Sequence, residues 1–419
     1  MAAAPATPRS LDEIQLIDPD WYVAHGYPHE AWKLLRREAP VFRFTHFKGE
    51  PFWAITKHDD VVSISRQPEL FPSSVRNVID PDPEPNAERF APRMILNMDP
   101  PDHGAYRRLV SKRFTPRALA LRADDIEHIA LEILDQLAAK GREGECDFVD
   151  AVAAPLPIAV IAWVLGVPRE DWRLLFDWTN QSIGAGDPEY QRPGETPRET
   201  GRRAQIELFT YFSKLLAEKR KKPGDDLISA LVNARLDDGN ALPDLELLAY
   251  YFLVVIAGNE TTRNATSSGL LALAEHKDQW RWLKAHPDGI ESAVEEIVRW
   301  TSPVIHFART AARDTELRGQ KIRAGETVCM FYASANRDED VFPDPYAFRL
   351  DRDPNRHLGF GVGEHFCLGS HVARTELQVI FRHLAERLDD FEVTGAPARL
   401  RSSLVGGVKH LPIRYRLRA

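Results

Sequence analysis

The most chemically specific part of the sequence is HLGFGVGEHFCLGSH, residues 357–371, in which one cysteine lies among four glycines. Gly361 and Gly363 allow positive φ, so this stretch predicts a tight turn whose amides face the sulfur of Cys367. A helical apolar pattern follows, and a cysteine just before a helix N-terminus has amides and a helix dipole that stabilise a thiolate. A thiolate binds metal ions or attacks electrophiles. Gly369 removes bulk where a flat ligand could lie against the helix.

The pattern around Cys367 excludes several common sites. Its glycines match neither the dinucleotide-binding fingerprint nor a phosphate-binding loop, which also needs a lysine and a serine or threonine after the glycines. A zinc site would need more ligands than His365 and His371, and the local signature of a cysteine hydrolase is missing. A buried structural cysteine remains an alternative when Cys367 is considered alone.

A second chemical feature is AGNETT, residues 257–262. It interrupts an apolar helical pattern of roughly 30 residues, which would be about 45 Å long. An acid beside an alcohol, Glu260 and Thr261, is costly in mid-helix unless it faces water or a ligand. A threonine there can also bond back to a preceding carbonyl and loosen the helix. Residues 250–256 are apolar all round, which indicates a buried helix, whereas a solvated polar turn on a surface helix is the alternative.

Charged residues recur at helical spacing elsewhere. Glu296 and Arg299 are three residues apart and His103 and Arg107 are four apart, so each pair lies on one helix face. Taken alone, such pairs are ordinary surface contacts of small energetic value. A basic cluster in an acidic protein can steer an acidic partner. The cluster in this sequence consists of Arg107, Arg108, Lys112, Arg113 and Arg117.

The rest of the pattern predicts a mainly α-helical protein with a minor β region, an α+β fold class. Residues 40–56 alternate apolar and polar residues around Lys48-Gly49 and predict a hairpin. Short strands are predicted within 303–332, with turns at Arg318-Gly319 and Ala324-Gly325. Helical periodicity covers roughly 126–137, 153–180, 204–220, 244–276, 289–300 and 371–388.

Two long irregular stretches, 72–103 and 184–201, separate these elements. Loops longer than about 15 residues in a compact domain are usually lids, binding loops or disordered segments. The first stretch contains Met94 and Ile95 among other apolar residues, which favours a binding role. The second is equally compatible with a functional loop and with a simple surface loop.

Composition limits the partners and the compartment. The chain has 419 residues, 43% of them hydrophobic, with a net charge of −8 and a pI of about 6.0, which gives no reason to expect nucleic acid as a partner. The three cysteines are far apart and predict neither a disulfide framework nor a zinc pair, so a cytoplasmic location is expected. No stretch is apolar for long enough to predict a signal peptide or a membrane anchor. No linker or repeat divides the sequence, so residues 1–419 are predicted to form a single domain.

The cysteine stretch resembles the haem-thiolate signature of the cytochrome P450 monooxygenases, Phe-Gly-x-Gly-x-His-x-Cys-x-Gly. Its fixed positions are met by Phe360, Gly361, Gly363, His365, Cys367 and Gly369. The resemblance implies the cytochrome P450 fold, with haem b between a long distal helix and the helix after the cysteine loop. It also implies that the thiolate of Cys367 is the axial iron ligand and that Phe360 and Gly369 adjoin the haem.

The polar interruption of the long helix also resembles a motif of this family, the acid–alcohol pair on the distal side of the haem. The resemblance implies that Glu260 and Thr261 deliver protons during oxygen activation. It implies that Ala257 and Gly258 leave room for dioxygen.

The charged pairs have family counterparts as well. Glu296 and Arg299 resemble two members of a structural triad, and Arg352 matches the arginine that completes it. The haem propionates are implied to contact His103, Arg107, Arg309 and His365. The basic cluster matches the face on which family members bind a ferredoxin.

The function implied by the resemblance is hydroxylation of a lipophilic small molecule with O2, by a monomer that receives electrons from a ferredoxin and its ferredoxin reductase. Residues 301–322 and 331–342 look like those of soluble bacterial members that act on steroids, terpenoids or branched fatty acids. The predicted substrate-binding residues are Met94, Ile95, Val304, Ile305, Phe307, Leu404 and Val405. The alternatives are a peroxide-driven haem peroxygenase and a non-catalytic haem sensor or lipid-binding protein.

Overall fold

The computed structural model describes residue 8, residues 10–81, residue 83, residues 93–120 and residues 123–418. The helices are α1 (Pro19–His25), α2 (His29–Glu38), α3 (His58–Ser65), α4 (Asp102–Ser111), α5 (Pro116–Ala120), α6 (Ala123–Ala138), α7 (Pro155–Leu165), α8 (Trp172–Ile183), α9 (Pro197–Lys221), α10 (Leu227–Asn233), α11 (Asp244–Glu275), α12 (Lys277–Ala285), α13 (Ile290–Thr301), α14 (Tyr332–Ala335) and α15 (Ser370–Arg387). The strands are β1 (Val41–Phe44), β2 (Phe52–Ile55), β3 (Glu143–Asp147), β4 (His306–Thr310), β5 (Thr315–Leu317), β6 (Gln320–Ile322), β7 (Thr327–Phe331), β8 (Leu388–Val393), β9 (Ala398–Arg399), β10 (Val408–His410) and β11 (Pro412–Leu417). The prediction of a mainly helical chain with a minor β region is confirmed.

The largest sheet has the strand order β1-β2-β7-β4. Strands β1 and β2 form the predicted antiparallel hairpin around Lys48-Gly49, and β2 then pairs in parallel with β7. Strand β4 pairs antiparallel with β7, so that Ala308 lies opposite Cys329. The predicted turn at Arg318-Gly319 joins β5 to β6, and both of its residues have positive φ.

One predicted helical segment, 153–180, is divided into α7 and α8. Gly166 ends α7 in the left-handed conformation, with φ of 75°, and its amide donates to the carbonyls of Ala162 and Trp163. A glycine in this conformation is a common helix C-cap because it has no Cβ to clash. Apolar periodicity continues on both sides of Gly166, so periodicity alone did not predict the break.

Helix α11 is the centre of the larger hydrophobic core. It has 32 residues, and its apolar residues pack with those of α7, α13 and α15. It is buried on nearly all sides, as its uniformly apolar first half predicts. Within the described part of the chain, neither α11 nor any other helix combines the length and apolarity that a membrane crossing needs.

A buried ion-pair network fixes α13 to the segment that leads into the cysteine loop. Arg299 Nε donates to Glu296 Oε2 at 2.7 Å, and Arg352 Nε donates to the same oxygen at 3.1 Å. Arg299 also donates to the carbonyls of Asn336 and Pro345. Glu296 and Arg299 have no exposed side-chain surface, so this triad, which sequence spacing alone left as a surface pair, is part of the interior.

Replacing Glu296 with alanine is expected to lower the free energy of unfolding by about 3–5 kcal/mol, because two buried arginines lose their carboxylate. The control is Glu291→Ala, which removes an exposed carboxylate from the same helix and should change stability by less than about 0.5 kcal/mol. Denaturant unfolding of both variants measures the difference. Equal stability of the two variants would show that the triad does not hold the fold.

Candidate active site

The cysteine loop is a tight turn whose glycines have the predicted conformations. Gly361 has φ of 70° and Gly363 has φ of 76°. The amide of Cys367 donates to the carbonyl of Phe360 at 2.9 Å, and the amide of Phe366 donates to that of Gly363 at 3.0 Å. A Cβ on Gly363 would lie 2.4 Å from the carbonyl oxygen of Ser65, so α3 and the loop could not approach this closely with any other residue there.

The environment of Cys367 opposes a free thiolate. Burial raises the pKa of the thiol above its ordinary value, although the Gly369 amide and the charges of Arg107 and Arg374 lower it. The predicted stabilising amide is therefore present, but burial outweighs its effect and that of the two arginines. A bound metal ion reverses this balance, because a coordinating thiol is deprotonated. A Cβ on Gly369 would have no neighbour within 4 Å, so there is open space beside this residue.

The middle of α11 has a polar, open face. Ala257 is exposed although the helix around it is buried, and Thr261, one turn later, is half-buried. Thr261 Oγ1 donates to the carbonyl of Ala257 at 2.8 Å, which is the back-bonding that the sequence predicts. These two residues mark a cleft in the interior.

Glu260 does not share this face with Thr261. It is buried, and its Oε2 accepts a hydrogen bond of 2.5 Å from Arg263, whose other amino group donates to Asn180 Oδ1 at 2.6 Å. Burial raises the pKa of Glu260, and the charge of Arg263 opposes that shift. Glu260 Oε1 has no hydrogen-bond partner among the described residues. Sequence reasoning missed Arg263, although its spacing from Glu260 is the same as that between Glu296 and Arg299.

Gly258 has a packing role that the sequence did not predict. A Cβ at this position would lie 2.4 Å from Cδ1 of Ile161 on α7. The missing side chain therefore lets α7 pack closely against α11. Ala257 is the exposed residue of this turn, and Gly258 and Thr261 are half-buried.

Four predicted cationic residues come together at one edge of the cysteine loop. The rings of His103 and His365 are 4.4 Å apart between centroids, and Arg107 donates to the carbonyl of Phe366 at 2.6 Å. Burial, followed by the charges of Arg309 and His103, lowers the pKa of His365 to about 3. Burial and the charge of Arg107 lower the pKa of His103, and burial lowers that of Arg309.

This cluster is suited to an anionic ligand. Glu364 is 3.6 Å from His103, but His103 Nδ1 has no hydrogen-bond partner among the described residues. Buried cations need carboxylates or other acceptors. The two propionates of haem would supply them beside the sulfur of Cys367, so the residues present fit this cofactor.

The chain is similar to proteins of known type over almost its whole length. Residues 290–400 match the family model described as Cytochrome P450. Over 414 residues, which cover 95% of this chain and 92% of the relative, it is 40% identical to Steroid C26-monooxygenase of Mycobacterium tuberculosis. Over 403 residues, 94% of this chain and 92% of the relative, it is 39% identical to Methyl-branched lipid omega-hydroxylase of the same organism. This chain belongs to the cytochrome P450 family.

Solved cytochrome P450 structures have the same fold. The Mycobacterium marinum cytochrome P450 CYP268A2, in complex with pseudoionone, superposes with a TM-score of 0.89 at 39% identity over 97% of this chain and all of that chain (100%). CYP109E1 of Bacillus megaterium, in complex with testosterone, has a TM-score of 0.81 at 34% identity over 92% of this chain and 97% of that chain. The chain is thus a cytochrome P450 monooxygenase with the haem-thiolate cofactor of its family, as its motifs predicted.

Two segments that contain predicted substrate-binding residues are neighbours in this cytochrome P450. Val304 and Val405 form an antiparallel bridge, and the amide of Ile305 donates to the carbonyl of Leu404 at 2.9 Å. Val304, Phe307 and Leu404 are half-buried, and Val405 is buried. Ile305 has no exposed surface and packs in the smaller core on the sheet, so it does not line the cleft, and its prediction as a substrate contact is corrected.

The remaining predicted wall residues lie in the first irregular stretch, 72–103. Met94 is half-buried, Ile95 is buried, and both pack at the border of the larger core. Residues 82 and 84–92 of the predicted binding loop lie outside the described residues.

Gly363→Ala is expected to lower haem content strongly, because its Cβ would collide with backbone and displace the cysteine loop from α3. Gly319→Ala is the matched control: Gly319 has φ of 79°, against 76° for Gly363, but its Cβ would meet nothing within 4 Å. Both variants carry the strain of positive φ, so only the collision differs. Haem absorbance per protein measures the effect, and equal haem content in the two variants would contradict this account of the loop.

Proposed function

We propose that this cytochrome P450 hydroxylates the end of a branched alkyl chain on a steroid or other lipid, with O2 and electrons from a ferredoxin and its reductase. The supporting observation is its equal similarity, 40% and 39%, to a steroid C26-monooxygenase and a methyl-branched lipid omega-hydroxylase. Carbon 26 ends the sterol side chain, and an omega carbon ends a fatty chain. Terminal oxidation of an alkyl chain is therefore common to both names. We further propose that residues 1–419 act as a single-domain monomer.

The haem-binding roles are assigned to the cysteine loop and the cationic cluster. Cys367 would hold the haem iron through its thiolate, and Phe360 and Gly369 would adjoin the haem. Such a haem would supply oxygen activation, which the electron density of a thiolate ligand favours. His103, Arg107, Arg309 and His365 would hold its propionates.

The distal residues then divide their roles by position. Ala257 leaves room for dioxygen, and Thr261 presents the hydroxyl that reaches the cleft. Glu260 acts behind it as a proton relay: its Oε1, which has no hydrogen-bond partner among the described residues, takes up a proton and passes it on, while the pair of Oε2 with Arg263 keeps the carboxyl group in place. Transfer of a proton from Glu260 to Thr261 requires a water molecule or a turn of the Glu260 side chain, because the two lie on different faces of α11.

The proposed substrate wall is apolar and consists of Met94, Ile95, Val304, Phe307, Leu404 and Val405. None of these side chains carries a charge, and an apolar lining with few polar groups suits a lipophilic ligand. A water-excluding wall also protects the reactive site from side reactions. This wall supports a lipid substrate without selecting between a steroid and a branched fatty acid.

The substrate proposal is tested with the purified holoenzyme and a panel of a sterol with an intact side chain, a methyl-branched fatty acid, a steroid without a side chain and a small polar aromatic compound. We expect the first two to displace the water bound to iron, which changes the haem absorbance. We also expect them to yield products hydroxylated at the chain end. Tight binding and turnover of only the polar aromatic, or hydroxylation only on the steroid rings, would contradict it.

The proposed ferredoxin surface is the basic cluster on and after α4. Lys112 and Arg117 are exposed, whereas Arg108 pairs with Asp237 and Arg113 lies 3.3 Å from Asp225. These two acids reduce the positive charge available to a partner. Lys112 and Arg117 are therefore proposed to contribute most to the attraction.

Lys112→Glu is expected to slow reduction by a ferredoxin about tenfold at low ionic strength, because it replaces attraction by repulsion during encounter. The control is Lys321→Glu, the same change at an exposed residue of the β5–β6 hairpin. Stopped-flow reduction at increasing salt measures both, and the difference should fade as salt screens the charges. Identical rates for the two variants at low salt would remove the docking proposal.

A further inference from the structure

The second irregular stretch of the sequence is held by ion pairs in the structure. The segment between α8 and α9, residues 184–196, is called the lid segment. Strands β9 and β10, with residues 400–407 between them, are called the C-terminal hairpin. Asp187 of the lid segment is buried and lies 2.7 Å from Lys409 Nζ, and its Oδ2 accepts a hydrogen bond of 3.1 Å from the amide of Arg401.

A second set of contacts centres on His410, at the end of β10. Its Nε2 lies 2.8 Å from Glu189 Oε1 of the lid segment, and its Nδ1 lies 2.5 Å from Asp147 Oδ2 at the end of β3. Lys409 Nζ is also 2.9 Å from Glu189. His410 therefore joins the lid segment to a strand that is fixed in a three-stranded sheet.

The C-terminal hairpin in these contacts carries part of the proposed substrate wall. It contains Leu404 and Val405, and Val405 bridges to Val304. Tyr190 of the lid segment lies near Lys409, whose Nζ is 5.7 Å from the centroid of the Tyr190 ring. The lid segment is thus held against the hairpin that carries two residues of the proposed wall.

The geometry of His410 requires a particular protonation state. Each ring nitrogen faces a carboxylate oxygen, and a carboxylate can only accept hydrogen bonds. A neutral imidazole has one N–H, so it can satisfy either Glu189 or Asp147, while its other nitrogen directs a lone pair at the remaining carboxylate. Only the imidazolium donates to both.

We propose that His410 is a pH-sensitive latch, which holds the lid segment against the C-terminal hairpin when its ring is cationic and releases the lid segment when its ring is neutral. Ligand exchange with the interior cleft would then be slow at acidic pH and become faster as the pH rises. This inference goes beyond the proposed function and does not depend on which lipid is hydroxylated.

The surroundings of the ring favour the cation. Three carboxylates lie near the ring: Asp147 at the end of β3, Glu189 in the lid segment and Asp150 in the π-helical turn Val149–Ala153. The ammonium group of Lys409, on the same strand as His410, disfavours the cationic ring. Burial raises the pKa of Asp150, and the charge of Asp147 raises it further, whereas the charge of His410 lowers that pKa. Three carboxylates therefore act on His410 against one ammonium, and Lys409 is itself paired with Asp187 and Glu189.

The pH direction follows from these contacts. Burial lowers the pKa of His410, but its hydrogen bonds to Asp147 and Glu189 raise it by more, so the net pKa lies above the ordinary value. Stabilisation by the cationic ring is complete below the ordinary pKa of histidine and is lost as the pH rises through the raised value. Loss of the latch weakens the lid segment without freeing it, because Asp187 remains paired with Lys409.

The test measures binding and release of metyrapone by the ferric holoenzyme in a stopped-flow spectrophotometer, from about pH 6.5 to about pH 9. Metyrapone is a bulky pyridine that binds the haem iron and stays uncharged over this range. For the wild type we expect both rate constants to rise about two- to fivefold with pH, as for loss of a partly exposed ion pair. A mobile lid changes the two rates together, so the dissociation constant should change little.

Two variants separate the latch from other titrating groups. His410→Gln cannot become cationic, so its exchange should be fast and independent of pH. Glu189→Gln removes only the charge on the lid segment and should likewise flatten the profile. The matched control is His286→Gln, because His286 is exposed and, within the described part of the chain, its ring hydrogen-bonds to the carbonyl of Trp282 in the preceding helix, and it should keep the wild-type profile.

Haem content and melting temperature establish that each variant is folded before its rates are compared. The latch is overturned if wild-type exchange does not change with pH, or if His410→Gln keeps the wild-type profile. Because the probe is not a substrate, failure of the latch leaves the lipid proposal untouched, and failure of the lipid proposal leaves the latch untouched.

Discussion

Burial of the sulfur of Cys367 opposes its negative charge, and the cysteine loop and the residues around it are arranged under that constraint. The nearby amide and the arginines do not overcome burial, so ionisation of the thiol is coupled to binding of the iron. Gly361 and Gly363 give the loop its shape, and the absence of a side chain on Gly363 lets the loop lie against α3. The charge of the haem iron therefore contributes to the stability of the thiolate in this fold.

The same dependence applies to the charged groups around the loop. Burial, followed by the charge of Arg309, lowers the pKa of His365, so the positive charge of this cluster comes from Arg107 and Arg309. Partly buried arginines favour carboxylates beside them. The triad of Glu296, Arg299 and Arg352 differs, because its charges are balanced by the protein itself. One set of buried charges fixes the scaffold, and the other is proposed to hold the propionates of haem.

Sequence alone predicted what depends on local pattern. The hairpin at Lys48-Gly49, the strands within 303–332 and the long helix α11 follow from periodicity and turn residues. The break at Gly166 was missed because apolar periodicity continues across it, and a left-handed cap is set by backbone conformation. The conformations of Gly361 and Gly363 were predicted correctly because only glycine tolerates them readily.

Other parts of the site required three-dimensional packing. A motif places Glu260 and Thr261 next to each other in sequence, but adjacent helical residues point to different faces, so only Thr261 borders the cleft. Gly258 packs against α7 and Ile305 packs in the sheet core, and neither contact is visible in a pattern of residue types. The contacts of Asp187 and Glu189 with the C-terminal hairpin join residues more than two hundred positions apart, which explains why the lid segment was predicted only as an irregular stretch.

The most direct measurement is the absorption spectrum of the reduced carbonyl complex in wild type, Cys367→Ala and Cys146→Ser, each supplied with haem. Thiolate ligation of iron predicts a Soret band at unusually long wavelength in the wild type and in Cys146→Ser, and its loss in Cys367→Ala. Cys146 is a second, half-buried cysteine far from the loop in sequence, so it controls for the loss of any thiol. An unchanged long-wavelength band in Cys367→Ala would contradict the central claim.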